Sequence, residues 1–193
     1  IGNNDGANVD RSSPVQVGSL TTWEKVETGA SHTLVIKTDG TLWAWGSNQQ
    51  GRLGDNTTIN KSSPVQIGSE TNWFQISGGN SHSLAITTSG ELYAWGDNSN
   101  FCLGDGTSNE RSSPIQIGLD TDWSQISAGT NFNLSIKTDG TLWVWGANGS
   151  GQLGVNSTSS VSSPIQVGAL TNWSQISAGF SHSVASKTDG TLW

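Results

Sequence analysis

Ser12-Ser13-Pro14-Val15-Gln16-Val17-Gly18 recurs as Ser62-Ser63-Pro64-Val65-Gln66-Ile67-Gly68, again from Ser112 to Gly118, and again from Ser162 to Gly168. Each copy begins 50 residues after the one before, with no insertion or deletion, so the chain is an array of one supersecondary unit. With that stretch as a ruler, residues 1–193 form a single repeat domain with units 12–61, 62–111, 112–161 and a shorter 162–193. Residues 1–11 carry the phase of the end of an earlier unit, which reads as a fragment of a longer polypeptide.

Four short strands are predicted per unit. Pro14 opens the first, Pro14 to Val17, because a residue without an N–H is tolerated at the start of a strand or on a sheet edge. Trp23-Glu24-Lys25-Val26 is the second, and the small-residue corner Gly29-Ala30-Ser31 leads into a third from His32 to Lys37. The fourth runs from Thr41 to Gly46, after a Thr38-Asp39-Gly40 hairpin in which Asp and Gly are both expected at positive φ. Strands three and four are apolar on successive positions, so both faces of the sheet should be covered. Sheets stacked radially about an axis achieve this, which makes the chain all-β: a β-propeller of four-stranded antiparallel blades, one per repeat. A β-solenoid is the second choice, and its coils usually have shorter periods.

Ten Trp, 25 Gly and 12% charged residues agree with strands and turn-rich loops. The formal charge is −7 and no basic run occurs, which argues against nucleic acid and anionic membrane surfaces as partners. No apolar run is long enough for a spanning helix, so membrane insertion is not expected. Cys102, the single cysteine, cannot form an internal disulfide, and has no basic neighbour in sequence to activate it. Little Lys with abundant Asn, Ser and Thr points to an extracellular, virion or cell-surface location.

Recurrence separates scaffold from site. A residue present at every period does the same work in every blade, whereas a chemical site needs an asymmetric group of residues. Trp23, Trp43, Trp45 and their counterparts are therefore read as packing between blades. His32, His82 and His182 are read as bonding their own blade corners, with neither a metal site nor a nucleophile-base pair beside them. Asp55 and Asp105 do not have the spacing of a calcium loop. No cofactor is expected, and no enzyme activity.

The residues that break the period are the candidates for partner contact. Phe101 replaces a Gly, Phe132 replaces a His, and Phe180 stands where Ala30, Asn80 and Thr130 stand. Aromatic side chains introduced at loops and corners make rigid interface anchors. Gln49, Gln50, Arg52, Asn98 and Asn100 vary in the long loops and would add polar specificity. Phe101→Ala and Phe132→Ala are expected to weaken partner binding without unfolding the chain.

The joint pattern Gly-x-Ser-His-[Thr/Ser]-Leu, Asp-Gly-Thr-Leu-Trp-[Ala/Val]-Trp-Gly-x-Asn-x-x-Gly-x-Leu-Gly and Ser-Ser-Pro-[Val/Ile]-Gln-[Val/Ile]-Gly resembles the regulator of chromosome condensation repeat family. The resemblance covers essentially the whole chain. It implies a seven-bladed ring with four-stranded blades, of which this chain is a part, closed by further repeats or by self-association. Members include a nucleotide exchange factor for a small GTPase and a secreted inhibitor of β-lactamases, and the Ser/Thr/Asn-rich repeats here look more like the bacterial and viral members. The expected function is a non-enzymatic binding or structural module that presents loops to a protein or glycan surface, for example in a virion fibre or a bacterial surface component. The alternative is a regulator in the manner of the family, an enzyme inhibitor or an exchange factor.

Overall fold

The computed structural model describes residues 12–193. Its first blade contains β1 (Trp23–Thr28), β2 (His32–Lys37), β3 (Leu42–Gly46) and β4 (Lys61–Ile67). The second contains β5 (Trp73–Gly78), β6 (His82–Thr87), β7 (Leu92–Gly96) and β8 (Arg111–Gln116), and the third β9 (Trp123–Ala128), β10 (Phe132–Lys137), β11 (Leu142–Gly146) and β12 (Val161–Gln166). β13 (Trp173–Ala178) and β14 (Ser183–Lys187) begin a fourth blade. Neighbouring strands are antiparallel and adjacent in chain order throughout, the meander expected of a propeller blade.

The blades are out of phase with the repeat ruler. Each opens on the Trp strand and closes on the Ser-Ser-Pro strand of the next unit, with Ala44 opposite Val65 and Trp43 opposite Gln66. The outer edge suits Pro64, since a strand paired on one side only tolerates a missing donor. The strand expected at Pro14 to Val17 does not form. Its counterparts pair with the strand that precedes them, and no such strand lies ahead of Pro14 among the described residues.

β1, β5, β9 and β13 lie against one another and line the axis. Side chains stitch them to the next blade: Gln125 Nε2 donates to Ser174 O at 2.8 Å, and Ser127 Oγ accepts from Ala178 N at 2.9 Å. The middle strands are covered on both faces, as their sequence requires, and every residue of β6 and β10 is buried. In the β2–β3 hairpin only Gly40 has positive φ, not Asp39. Asp39 instead accepts bonds from Thr41 N at 3.0 Å and Thr41 Oγ1 at 2.6 Å, the Asx device that a short acid provides. A Cβ on Gly40 would also overlap Thr71 O of the linker into the next blade.

The tryptophans divide into two sets. Trp23 and Trp43 meet edge to face within one blade at 6.0 Å, as do Trp123 and Trp143 at 5.8 Å. Trp95 and Trp145 are fully buried and bond back to the preceding blade, to Arg52 O at 2.9 Å and Cys102 O at 3.0 Å. Packing between blades, expected of all of them, is seen in the second set and also in Trp73, Trp123 and Trp173, each of which lies in a cluster built mostly from the preceding blade.

Candidate functional site

Strand direction gives the propeller two rims. One carries the β2–β3 type hairpins and the linkers between blades. The other carries the corners at 29–31, 79–81, 129–131 and 179–181 and the long loops 47–60, 97–110 and 147–160, where most of the candidate residues lie.

The long loops are held from within by a recurring asparagine. Asn48 is buried; its Nδ2 donates to Asp55 Oδ1 at 2.8 Å and Thr57 O at 3.0 Å, while its Oδ1 accepts from Leu53 N at 2.9 Å. Asn98 repeats this with Asp105, Thr107 O and Leu103 N. Each loop then docks on the outer strand of the next blade, Asn56 N on Ser112 O at 2.8 Å and Gly106 N on Ser162 O at 2.9 Å. Asn98 is therefore a loop staple with its amide consumed, not a specificity residue. Its recurrence as Asn48 and Asn148 was the signal for that. Asp55 and Asp105 are engaged in the same way, with Lys61 at 3.2 Å and Arg111 at 2.9 Å as their cations.

Arg52 is also interior, at 6% exposure. Its guanidinium donates to Gln49 O at 2.9 Å, Ser31 Oγ at 3.0 Å and Asn80 O at 3.3 Å, which ties the corners of the first two blades together. Burial lowers its pKa, opposed by the charge of Asp97. The same residue's carbonyl is a hub between blades: it accepts from Ser83 Oγ at 2.8 Å and from Trp95 Nε1. His32 completes the chain, Nε2 to Ser83 Oγ at 2.8 Å. Because the Ser83 hydroxyl donates to the carbonyl, His32 Nε2 carries the proton and donates to Ser83.

One blade further on, His82 Nε2 donates to Asn133 Oδ1 at 2.7 Å, and Asn133 Nδ2 donates to Cys102 O at 2.6 Å. The imidazoles thus bond the following blade, not their own corners as the sequence suggested. Burial keeps them neutral, with His32 pushed down to about 3 and His82 lowered in the same direction. A Cβ on Gly29 or Gly79 would overlap these rings, which is why the corners need glycine. Cys102 is buried, its Sγ donates to Asp97 O at 2.9 Å, and burial raises its pKa, so it is an inert thiol.

Phe132 takes the place of this histidine in the third blade and is 0% exposed. It packs in the core with Leu134, Leu153 and Ala185 and cannot present a contact surface. Phe132→Ala is accordingly expected to destabilise the fold, by roughly 3–5 kcal/mol, contrary to the expectation from sequence.

The remaining candidates reach the surface. Gln49 is exposed, and Gln50, Asn100 and Phe101 are half-buried on the loop tips. Gln50 accepts from Arg52 through Oε1, and Asn100 Nδ2 donates to Ser99 Oγ at 3.3 Å. Phe101 has φ 61°, where Gly51 and Gly151 have 76° and 75°. A bulky residue is strained in this region. Phe101→Gly is expected to raise stability by about 1 kcal/mol, seen as a higher urea midpoint at unchanged m-value.

Phe180 is 77% exposed at the corner, beside a 350 Å³ depression at the mouth of the axis shared with Ala30, Asn80 and Thr130. The fourth phenylalanine, Phe74, was not singled out from sequence, yet it breaks the period in the same way, standing where Glu24, Ser124 and Ser174 stand. It is exposed in a 430 Å³ cleft along the axis with Val26, Glu27 and Ile76. The Lys25 ammonium lies 4.0 Å from its ring centroid. Leu119 on the hairpin rim, 90% exposed, passes the same test of departure from the period.

Four-stranded blades about a common axis, with inner polar relays and variable rim residues, define a repeat β-propeller. The regulator of chromosome condensation (RCC1) repeat matches residues 39–86, 89–136 and 139–186, and a second description of that repeat matches 23–52, 75–102 and 123–152. The chain belongs to the regulator of chromosome condensation repeat family. No curated protein sequence matches it significantly. Among solved structures it is similar to human WBSCR16, at TM-score 0.79 and 24% identity over 88% of this chain and 46% of that one. It is also similar to a chain of the crystal structure of Kap60 bound to yeast RCC1 (Prp20), at TM-score 0.82 and 23% identity over 93% of this chain and 45% of that one. A structure of Prp20p from Saccharomyces cerevisiae, described together with its binding properties to Gsp1p and histones, gives TM-score 0.76 and 18% identity over 85% of this chain and 43% of that one. The chain spans less than half the length of each of these. At these identities the likeness is one of fold.

Proposed function

We propose that the chain is a non-enzymatic protein-binding module that meets its partner with the long-loop rim. The observation that carries this is Phe180, a large aromatic at 77% exposure on a corner whose backbone is fixed by the strands on either side. A rigid, exposed aromatic loses little conformational entropy on docking and is the kind of residue on which binding energy concentrates. Asn80 and Thr130 share its depression, and Gln49, Asn100 and Phe101 lie on the long loops of the same rim, so that polar and apolar groups differ from blade to blade. Structures of similar fold are described in complex with, or binding to, proteins. The formal charge of −7 favours a partner that does not depend on phosphate contacts.

The finer reading is a component of a virion or bacterial surface, extracellular, contacting protein rather than glycan, with self-association available to extend the ring. The regulatory alternative, inhibition of an enzyme or exchange on a small GTPase, would use the same rim.

Affinity capture with the wild-type chain and with Phe180→Ala distinguishes rim binding from adventitious capture. Phe180→Ala should reduce recovery of a specific partner by about tenfold or more while leaving the urea midpoint unchanged. Recovery that is insensitive to Phe180 overturns the assignment of this rim. β-Lactamase inhibition and nucleotide-exchange assays on the same preparation decide between a surface component and a regulator.

A further inference from the structure

On the hairpin rim, three blades carry an ammonium group of their own on an aromatic pair. Lys37 Nζ lies 3.5 Å from the Trp43 ring centroid and 5.0 Å from that of Trp23. Lys187 Nζ lies 3.8 Å from Trp193 and 5.0 Å from Trp173, and Lys137 Nζ lies 4.7 Å from Trp143 and 4.6 Å from Trp123. These are distances at which a ring quadrupole holds a cation.

The second blade keeps the rings and loses the cation. Trp73 and Tyr93 meet edge to face at 5.2 Å, but Thr87 stands where the other blades have lysine. Its hydroxyl ends in the turn, 2.9 Å from Ser89 Oγ and 3.0 Å from Glu91 Oε2. Among the described residues no lysine or arginine reaches either ring.

The charge changes with it. In the third blade Lys137 Nζ is met by Asp120 at 2.6 Å and Asp122 at 3.0 Å. In the second, Glu70 occupies the position of Asp120 and Glu91 replaces a threonine, so two carboxylates remain after the ammonium has gone. Burial raises the Tyr93 pKa, and the charges of Glu91 and Glu70 act in the same direction. Tyr93 and Glu91 are half-buried, so the group is open to solvent at the rim.

We propose that the Trp73–Tyr93 pair, flanked by Glu70 and Glu91, is a binding site for an organic ammonium, supplied by a lysine side chain of a partner protein. The incoming group takes the place that Lys37, Lys137 and Lys187 fill in the other blades, against the equivalent rings and opposite carboxylates that, among the described residues, have no cation of their own. The site lies on the rim opposite Phe180, so its success or failure is separate from that of the long-loop rim.

Tyr93 is the single tyrosine of the chain and gives a unique NMR ring signal. The 193-residue chain is titrated with Nα-acetyl-lysine methylamide, its trimethylated form and the neutral norleucine analogue. Saturable shifts at Tyr93 and the Trp73 indole are expected with both ammonium compounds in the millimolar range, and none with norleucine. Thr87→Lys, which reinstates the lysine of the other three blades, should weaken this binding at least about tenfold, and Glu91→Gln several-fold. A lysine-containing peptide should bind more tightly than methylammonium; equal affinity would assign the site to small amines and overturn the partner lysine. No saturable shift at Tyr93 up to about 50 mM, or unchanged binding in both variants, would overturn the site itself.

Discussion

Trp95→Ala is expected to lower the stability of the chain by roughly 3–5 kcal/mol, a large part of the total for a domain of this size. The indole is fully buried and packs in one cluster with Leu53, Ile67 and Ala85, residues drawn from the first two blades. Its loss leaves a cavity between blades and removes the Nε1 bond to Arg52 O. Because blades in a repeat array are coupled through such interfaces, the variant should also unfold less cooperatively, with a lower urea m-value than wild type. Trp45→Ala is the control. Trp45 is only half-buried, so the same truncation there should have a clearly smaller effect on the urea midpoint.

His32→Phe is expected to flatten the acid limb of stability. The ring has a pKa of about 3 in the folded chain against 6.5 for the unperturbed group, so below pH 6.5 the unfolded chain binds a proton that the folded chain refuses. The stability linked to neutral His32 is fully present above pH 6.5 and is lost as the pH falls through that window toward 3. A difference of this size corresponds to an effect on the order of 5 kcal/mol, with His82 acting in the same direction. Phenylalanine is the natural occupant in the third blade, where Phe132 is followed one blade on by Ser183, whose Oγ bonds Gln152 O at 2.6 Å. His32 is likewise followed by Ser83, bonded to Arg52 O, so the substitution copies a pairing the protein already uses. Urea melts at pH 7, 5.5 and 4 should show a smaller loss for the variant than for wild type; equal losses would mean that the acid sensitivity arises elsewhere.

Departure from the period picked out surface residues where the residue lay on a corner or loop tip, and a core residue where it lay on a middle strand. Phe180 and Phe101 reach the surface; Phe132 begins β10 and fills a core position. A substitution on a middle strand with both faces covered can only repack, and a string of letters does not say which way the first residue of a strand points. Arg52 shows the converse. Its charge and its place in a variable loop suggested specificity, yet the Gln49 carbonyl of its own loop, the Ser31 hydroxyl of one corner and the Asn80 carbonyl of the next lie within reach and take it inside.

The ammonium site was legible in part. The replacement of Lys37, Lys137 and Lys187 by Thr87 can be read directly from the repeats, as can the change of Trp43 to Tyr93. What those positions have in common cannot, because position 23 is 14 residues from position 37 and 20 from position 43 in each unit, and only antiparallel pairing of three strands brings them together.

By itself the sequence determined the repeat length, the all-β class, the four strands of each blade and the membership of the family. These follow from local patterns: alternation, turn residues and strict recurrence. Tertiary structure alone decided where a blade begins, because strand pairing and not the most conspicuous motif sets that boundary. The Ser-Ser-Pro stretch that measures the repeat proves to be the outer strand of the blade before it, and Ser112 and Ser162 on two of these strands each receive the long loop of the preceding blade. Tertiary structure also decided which polar residues are consumed between blades and which remain free at the rims, since hydrogen bonds across 30 to 50 residues depend on how one sheet is set against the next.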